Sequence, residues 1–195
     1  MNKSRHLKAA ALTSAALLLV FSSLCAVVSA QQRDHLTPQE ADLVRDNQEL
    51  DKRTEVFIHA AERRLLAATN PEEAAKQQAK DKEKWGEVKG TRAELLYDIS
   101  KILDEAVTNV DDAAEHNPSS SLLRKSLYKL SEAAARIAPQ LAKLRDGAKE
   151  EAEADQIDRA LETAQEILDA AKQRSVNAED LKTKDPKAKE SKKGN

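Results

Sequence analysis

The sequence predicts an all-α protein: an antiparallel four-helix bundle with a short fifth helix, behind a cleaved signal peptide and ahead of a disordered tail. Three observations lead there. Leucine, isoleucine and alanine recur at alternating spacings of three and four along most of the chain, the period of a helix that buries one face. Capping residues precede several of these stripes, and Asn70-Pro71, Asn117-Pro118 and Gly147 end three of them. Between residues 31 and 195 nothing resembles a β-hairpin or a βαβ unit.

The leader comes first. Lys3, Arg5 and Lys8 are basic, and no acidic residue occurs before Asp34. Residues 9–28 form a small and apolar run that contains Leu17, Leu18, Leu19, Val20 and Phe21. Val28-Ser29-Ala30 places compact residues where a signal peptidase reads, which predicts cleavage before Gln31. A run of about 20 apolar residues would also suffice for a membrane anchor. Ser14, Ser22 and Ser23 interrupt this run, and the cleavage site favours removal. Cys25 follows Leu24 rather than the Gly, Ala or Ser that precedes a lipid-modified cysteine, so it is expected to leave with the leader. The expected organisation is a signal peptide over 1–30, a helical domain over 31–176 and a disordered lysine-rich tail over 177–195.

Thr37-Pro38-Gln39-Glu40 has the form of a capping box and opens a first helix expected over 38–69. Leu36, Leu43, Leu50 and Phe57 run along it at spacings of seven. They drift round the surface as on a straight helix rather than a strict supercoil. Asn47 and Thr54 interrupt the stripe, as residues that set helix register or, less plainly, line a ligand cavity. Asn70-Pro71 ends this helix and opens a polar one over 71–84, expected to lie across the surface. Trp85 beside Gly86 is expected to plug an end of the bundle. Thr91-Arg92-Ala93-Glu94 is a second capping box, followed by the face Leu95, Ile99, Ile102, Leu103, Ala106 and Val110. Leu123, Leu127, Leu130, Ala134, Ile137, Leu141 and Leu144 make the cleanest stripe, with Pro139 off it and a kink expected there. Gly147 marks a hairpin, although one continuous helix would also fit. Ile157, Leu161, Ala164, Leu168 and Ala171 form the expected seam of the last helix.

Charge separates body from tail. The whole chain has 32 basic and 34 acidic residues. Without the leader it has 29 against 34, a formal −5. Six lysines against Asp185 and Glu190 make residues 182–195 basic, so residues 31–181 carry −9. An acidic body with a basic tail argues against a nucleic-acid partner, which would require positive charge on a folded face. Loss of Cys25 leaves no thiol, so neither disulfides nor cysteine metal sites are expected.

Candidate chemistry is sparse. Glu55 and His59 stand four apart and suit weak chelation, but a solvated ion-pair face is the expected reading. Asp111, Asp112, Glu115 and His116 cluster near the end of the third helix without the spacing of a calcium loop. No nucleophile–base set and no Gly-rich phosphate loop occur. The chain is therefore expected not to be an enzyme, and no catalytic, cofactor or metal residue is assigned. At Leu36 and Thr37 the opening Leu36-Thr37-Pro38-Gln39-Glu40 resembles the Leu-Thr-x-x-Gln motif of small periplasmic helical stress proteins and chaperones, with Glu40 in place of the glutamine. A helix cap produces the same residues, and no family is assigned. The expectation is an exported, periplasmic or secreted helical protein that works through a protein or cell-envelope component. The alternative is a periplasmic small-ligand, metal-binding or stress-protective bundle.

Overall fold

The computed structural model describes residues 34–182. The predicted leader, its cleavage site and tail residues 183–195 lie outside them. The described chain contains six α-helices, α1 (Pro38–Asp46), α2 (Leu50–Thr69), α3 (Pro71–Trp85), α4 (Arg92–His116), α5 (Ser121–Asp146) and α6 (Glu151–Gln173), then a 3-10 turn, η1 (Ala178–Lys182). No strand occurs among the described residues.

Local chemistry accounts for the boundaries. Thr37 caps α1 and Thr91 caps α4 through complete capping boxes with Glu40 and Glu94. Two helices stop at an asparagine before a proline: Asn70 (φ −142, ψ 80) ends α2, and Asn117 (φ −150, ψ 75) ends α4. The proline ring drives the preceding residue out of the helical region. A break at residues 147–150 separates α5 from α6, as the hairpin reading expected. The exposed Pro139 sits inside α5, whose helical assignment runs through it without interruption.

The first predicted helix is two. Asn47 ends α1 in an extended conformation (φ −88, ψ 94), its side-chain amide donating to the Leu43 carbonyl at 2.6 Å. Asparagine competes well for such local bonds, which is why it breaks helices that a leucine stripe alone would continue. The break reverses the chain. In one straight helix Glu40 and Arg63 would lie about 35 Å apart, whereas here their side chains meet at 2.5 Å. Thr54 instead bonds the Leu50 carbonyl within its own helix.

Cross-helix pairs give the directions. Arg53 reaches Asn109 and Arg64 reaches Asp98, so α2 and α4 run antiparallel. Arg145 pairs with Asp158 across the hairpin, so α5 and α6 are antiparallel too. Asp51 meets Lys125 while Glu62 meets Arg136, and Arg92 meets Glu153 while Thr163 meets Asp104. In both sets the numbers rise together, so α2 with α5 and α4 with α6 are parallel neighbours. The simple antiparallel arrangement therefore holds for only two of these four pairings. Its cause is the link 117–120, which takes the chain from α4 to α5 although each packs more extensively on α2 and α6.

The core lies where the stripes of α4 and α5 predicted, joined by Leu96 off the predicted face, whereas Leu36, Leu43 and Leu50 of the first stripe are only half-buried. Phe57, Leu96, Ile99, Ile102, Leu103, Leu130, Ile137, Leu141 and Ile157 are essentially sealed from solvent. Alanines 60, 61, 106, 133, 134, 160 and 164 are sealed with them, letting the helices approach closely. On α6 the buried seam is rotated from the predicted one: Ala160 and Ile167 are buried, while Leu161 and Leu168 are only half-buried. Choosing among adjacent apolar residues takes knowledge of the neighbouring helices. Among the described residues no helix is long and apolar enough to cross a membrane.

Residues 177–182, expected to belong to the disordered tail, are ordered against the fold. Arg124 of α5 donates to the Arg174 and Ser175 carbonyls and forks onto Asp180, holding 177–182 against the fold. Ser175 takes the left-handed conformation (φ 49), with Val176 N–H donating to Ala171 and Ser175 N–H to Lys172, a Schellman cap. Glycine favours that conformation, so Ser175→Gly should stabilise the protein by up to about 1 kcal/mol. The shift of the urea midpoint at constant slope would measure this.

Candidate functional site

Four charged side chains converge inside the protein. Glu40 of α1 and Asp98 of α4 are fully buried, as are Arg63 and Arg64 of α2 to within a few per cent. One carboxylate oxygen of Glu40 accepts from Arg63 at 2.5 Å and from Arg64 at 2.7 Å; the other accepts the Thr37 N–H at 2.9 Å. Arg63 also donates to the carbonyls of Trp85 and Gly86 at 3.0 and 2.7 Å. Arg64 donates to the carbonyls of Ala60 and His35, with Asp98 3.8 Å from its Nε. Two guanidinium groups thus face two carboxylates, and the group ties α1, the 86 loop and α4 to α2. All of these polar contacts are made within the fold.

Helical spacing alone would set acidic residues on a solvent face, yet Glu40, Asp51 and Asp98 are buried. A signal did exist. Arg64 falls three and four residues after Ala61 and Ala60, and Asp98 falls three after Leu95 and four before Ile102, both within the apolar faces. A charge there must be paired, since an isolated buried ion is too costly.

A second group joins α2 to α5. Asp51 is 1 % exposed and accepts from Lys125 at 2.7 Å and Lys129 at 2.8 Å, while Lys129 also reaches Glu55 at 2.6 Å. Burial pushes the Asp51 carboxyl up, but the two lysines outweigh it and hold the group below its ordinary 3.8. The unfolded chain therefore binds more protons between the two values. The contribution of Asp51 is present above pH 3.8 and is lost as the pH falls through the folded value. Asp51→Asn should flatten that acid limb and cost about 1–3 kcal/mol at pH 7, as read by urea unfolding across pH 2.5–7.

The predicted Glu55–His59 pair is split. Glu55 turns to Lys129 and Lys52, whereas the His59 ring lies against Trp85, 4.1 Å between centroids at 56°. Trp85 accordingly packs on the flank of α2, half-buried, instead of plugging an end. Burial first, then Arg63, push the His59 imidazole below 6.5, against the opposing pull of Asp81, Glu62 and Glu40. Folding thus favours the neutral ring, and stability should fall as the pH drops from 6.5 towards the folded value, then level off. His59→Gln should abolish that step in thermal melts taken from pH 7.5 to 5.

In the Asp111, Asp112, Glu115 and His116 cluster, the His116 ring bonds the Asp112 carbonyl at 2.6 Å, one turn back in its own helix. Among the described residues no group of three or more His, Cys, Asp or Glu side chains is placed to hold a metal ion.

A concavity of about 920 Å³ forms a surface groove between α3, the end of α2 and the start of α4. Ala67, Ala68, Ala74, Ala75, Ala79 and Val88 are among the residues that line it. Val88 is held in place by its N–H, which donates to the Gln78 side chain at 2.8 Å. Lys82, Lys89 and Arg92 also line it, against the single acid Glu87, which pairs with both lysines. Small side chains along one face of α3 leave the trough open where larger ones would fill it.

Comparisons with protein-family models, with curated proteins and with solved structures found no match. What the chain defines on its own is a class: an all-helical protein clamped by a buried ion-pair group, with an alanine-lined surface groove.

Proposed function

We propose that this is an exported, non-enzymatic helical protein that acts by contact with a protein or cell-envelope component. Its four long helices are read as a four-helix bundle whose α4–α5 connection crosses a diagonal. Export rests on the leader residues Lys3, Arg5, Lys8 and the Val28-Ser29-Ala30 site. The α3 groove supports the contact reading: alanines allow a partner's backbone to come close, and Lys82, Lys89 and Arg92 outnumber the two acids they pair with, Glu87 and Glu153, which favours an acidic segment. The basic residues 183–195 offer a second contact for anionic polymers or lipids.

Three measurements test this reading. The intact mass of protein recovered from outside the producing cytoplasm should begin at Gln31; a cytoplasmic chain that keeps its leader would reject export. A photo-crosslinker at Ala79 should capture one partner that Ala75→Glu abolishes, while the same probe at Gln165 on α6 should not. Equal capture from both positions would reject the groove. Truncation after Lys182 should weaken binding to anionic envelope fractions; unchanged binding would remove the tail from the proposal. Cutting at residue 177 would also remove Asp180 and its clasp with Arg124, and so confuse tail loss with unfolding.

A further inference from the structure

A second hollow lies away from the α3 groove, where α4, α5 and α6 meet. It encloses about 180 Å³, and its apolar lining is Val107, Val110, Leu127, Leu130, Ile167 and Ala170. Val110, Leu127, Leu130 and Ile167 are all at least nine-tenths buried, so the hollow reaches into the core rather than skimming the surface. Its two remaining lining residues are the exposed carboxylates Asp111 and Glu166. Among the described residues no ion pair involves either one.

Register places these two groups at the mouth. Asp104 and Thr163 bond at 2.8 Å between the parallel helices α4 and α6. Seven residues further on, two turns along each helix, Asp111 comes level with Ala170. Glu166 is then about one turn back, some 5–6 Å along the axis. Both carboxylates line the one hollow, where their side chains can turn towards a single ammonium group, while the rest of the lining offers only apolar contacts. Apolar cavities of about 150 Å³ take up a benzene-sized body.

We propose that this hollow is a binding site for a small organic cation: a primary ammonium on a compact ring or branched body. The body fills the space between Leu130 and Ile167, displacing water that finds no polar partner there. The ammonium stays at the mouth, partly hydrated, donating to Asp111 and Glu166. Anionic and neutral molecules of the same shape gain the apolar contacts without the charge pairing, and anions meet repulsion. The site is separate from the contact groove, and either can fail without the other.

Benzylammonium is a suitable probe. Titrated into the full mature chain, it should shift the methyl resonances of Leu127, Leu130 and Ile167 saturably. Benzyl alcohol should bind about tenfold more weakly, and benzoate should leave the resonances unmoved. Asp111→Asn with Glu166→Gln should bring benzylammonium down to the affinity of the alcohol while leaving the alcohol unchanged. Ala170→Leu, which fills the hollow, should abolish both. No saturable shift, equal affinity for ammonium and alcohol, or undiminished binding in a folded Ala170→Leu variant would each overturn the proposal. The comparison of the three probes on the unmodified protein stands even where a variant does not fold.

Discussion

Glu40→Ala is expected to destabilise the protein by about 3–5 kcal/mol, because it strands two buried guanidinium groups. Glu40 is fully buried and its Oε1 accepts from both Arg63 and Arg64, while Oε2 completes the cap of α1 at Thr37. Removing it abolishes the Thr37 N–H half of the capping box and both pairings in one step. The cost measures a broken pair, not the worth of an intact one; a buried ion pair often does no better than apolar residues of the same volume. Glu40→Gln should recover only part of the loss, since it keeps the shape and one acceptor but not the charge. Urea unfolding followed by circular dichroism would measure both variants. Hydrogen exchange should show α1 opening first, because that clasp holds it to α2. A loss below about 1 kcal/mol would mean that the arginines reach water readily, and that the buried group is not what closes α1 on α2.

Gly86→Ala should be the second large effect, at least about 2 kcal/mol. Gly86 adopts φ 71 and ψ −173, a region almost confined to glycine, where other residues carry a strain of about 1–3 kcal/mol. A Cβ there would collide with the Gln39 side chain and come within 2.8 Å of the Thr37 hydroxyl. Thr37 donates to the Trp85 carbonyl at 2.7 Å and caps α1, so the collision falls on the joint that docks α1 against the end of α3. Gly147→Ala provides the contrast. Its φ is −97 and the nearest atom to an added Cβ is the Leu144 carbonyl oxygen at 3.7 Å. That substitution should be neutral or stabilise by up to about 1 kcal/mol, by restricting the unfolded chain. Thermal melts of the two variants side by side would separate glycine required by conformation from glycine that merely ends a helix.

The helical class, the breaks before Pro71 and Pro118, the two capping boxes and the hairpin at Gly147 were legible in the sequence. Each depends on residues within a turn of one another: a threonine hydroxyl reaching a nearby N–H, a proline ring restricting its neighbour, a stripe of one period. The buried faces of α4 and α5 were legible for the same reason. The break at Asn47 was half visible. The residue stood out in the stripe, but register on one long helix and termination of a short one call for the same side chain.

Only the tertiary structure decided the rest. Whether Glu40 faces water or two arginines depends on a chain reversal that brings together residues 23 apart in sequence. The parallel pairing of α2 with α5 and of α4 with α6 follows from how the chain crosses between helices, and every amphipathic stripe is consistent with several such arrangements. The seam of α6 turned towards Ile167 because its neighbours on α4 and α5 lie there. The hollow beneath Asp111 and Glu166 exists because three helices meet over side chains that do not quite fill the space. Periodicity determines which face of a helix avoids water; the identity of what covers that face is a property of the packed whole.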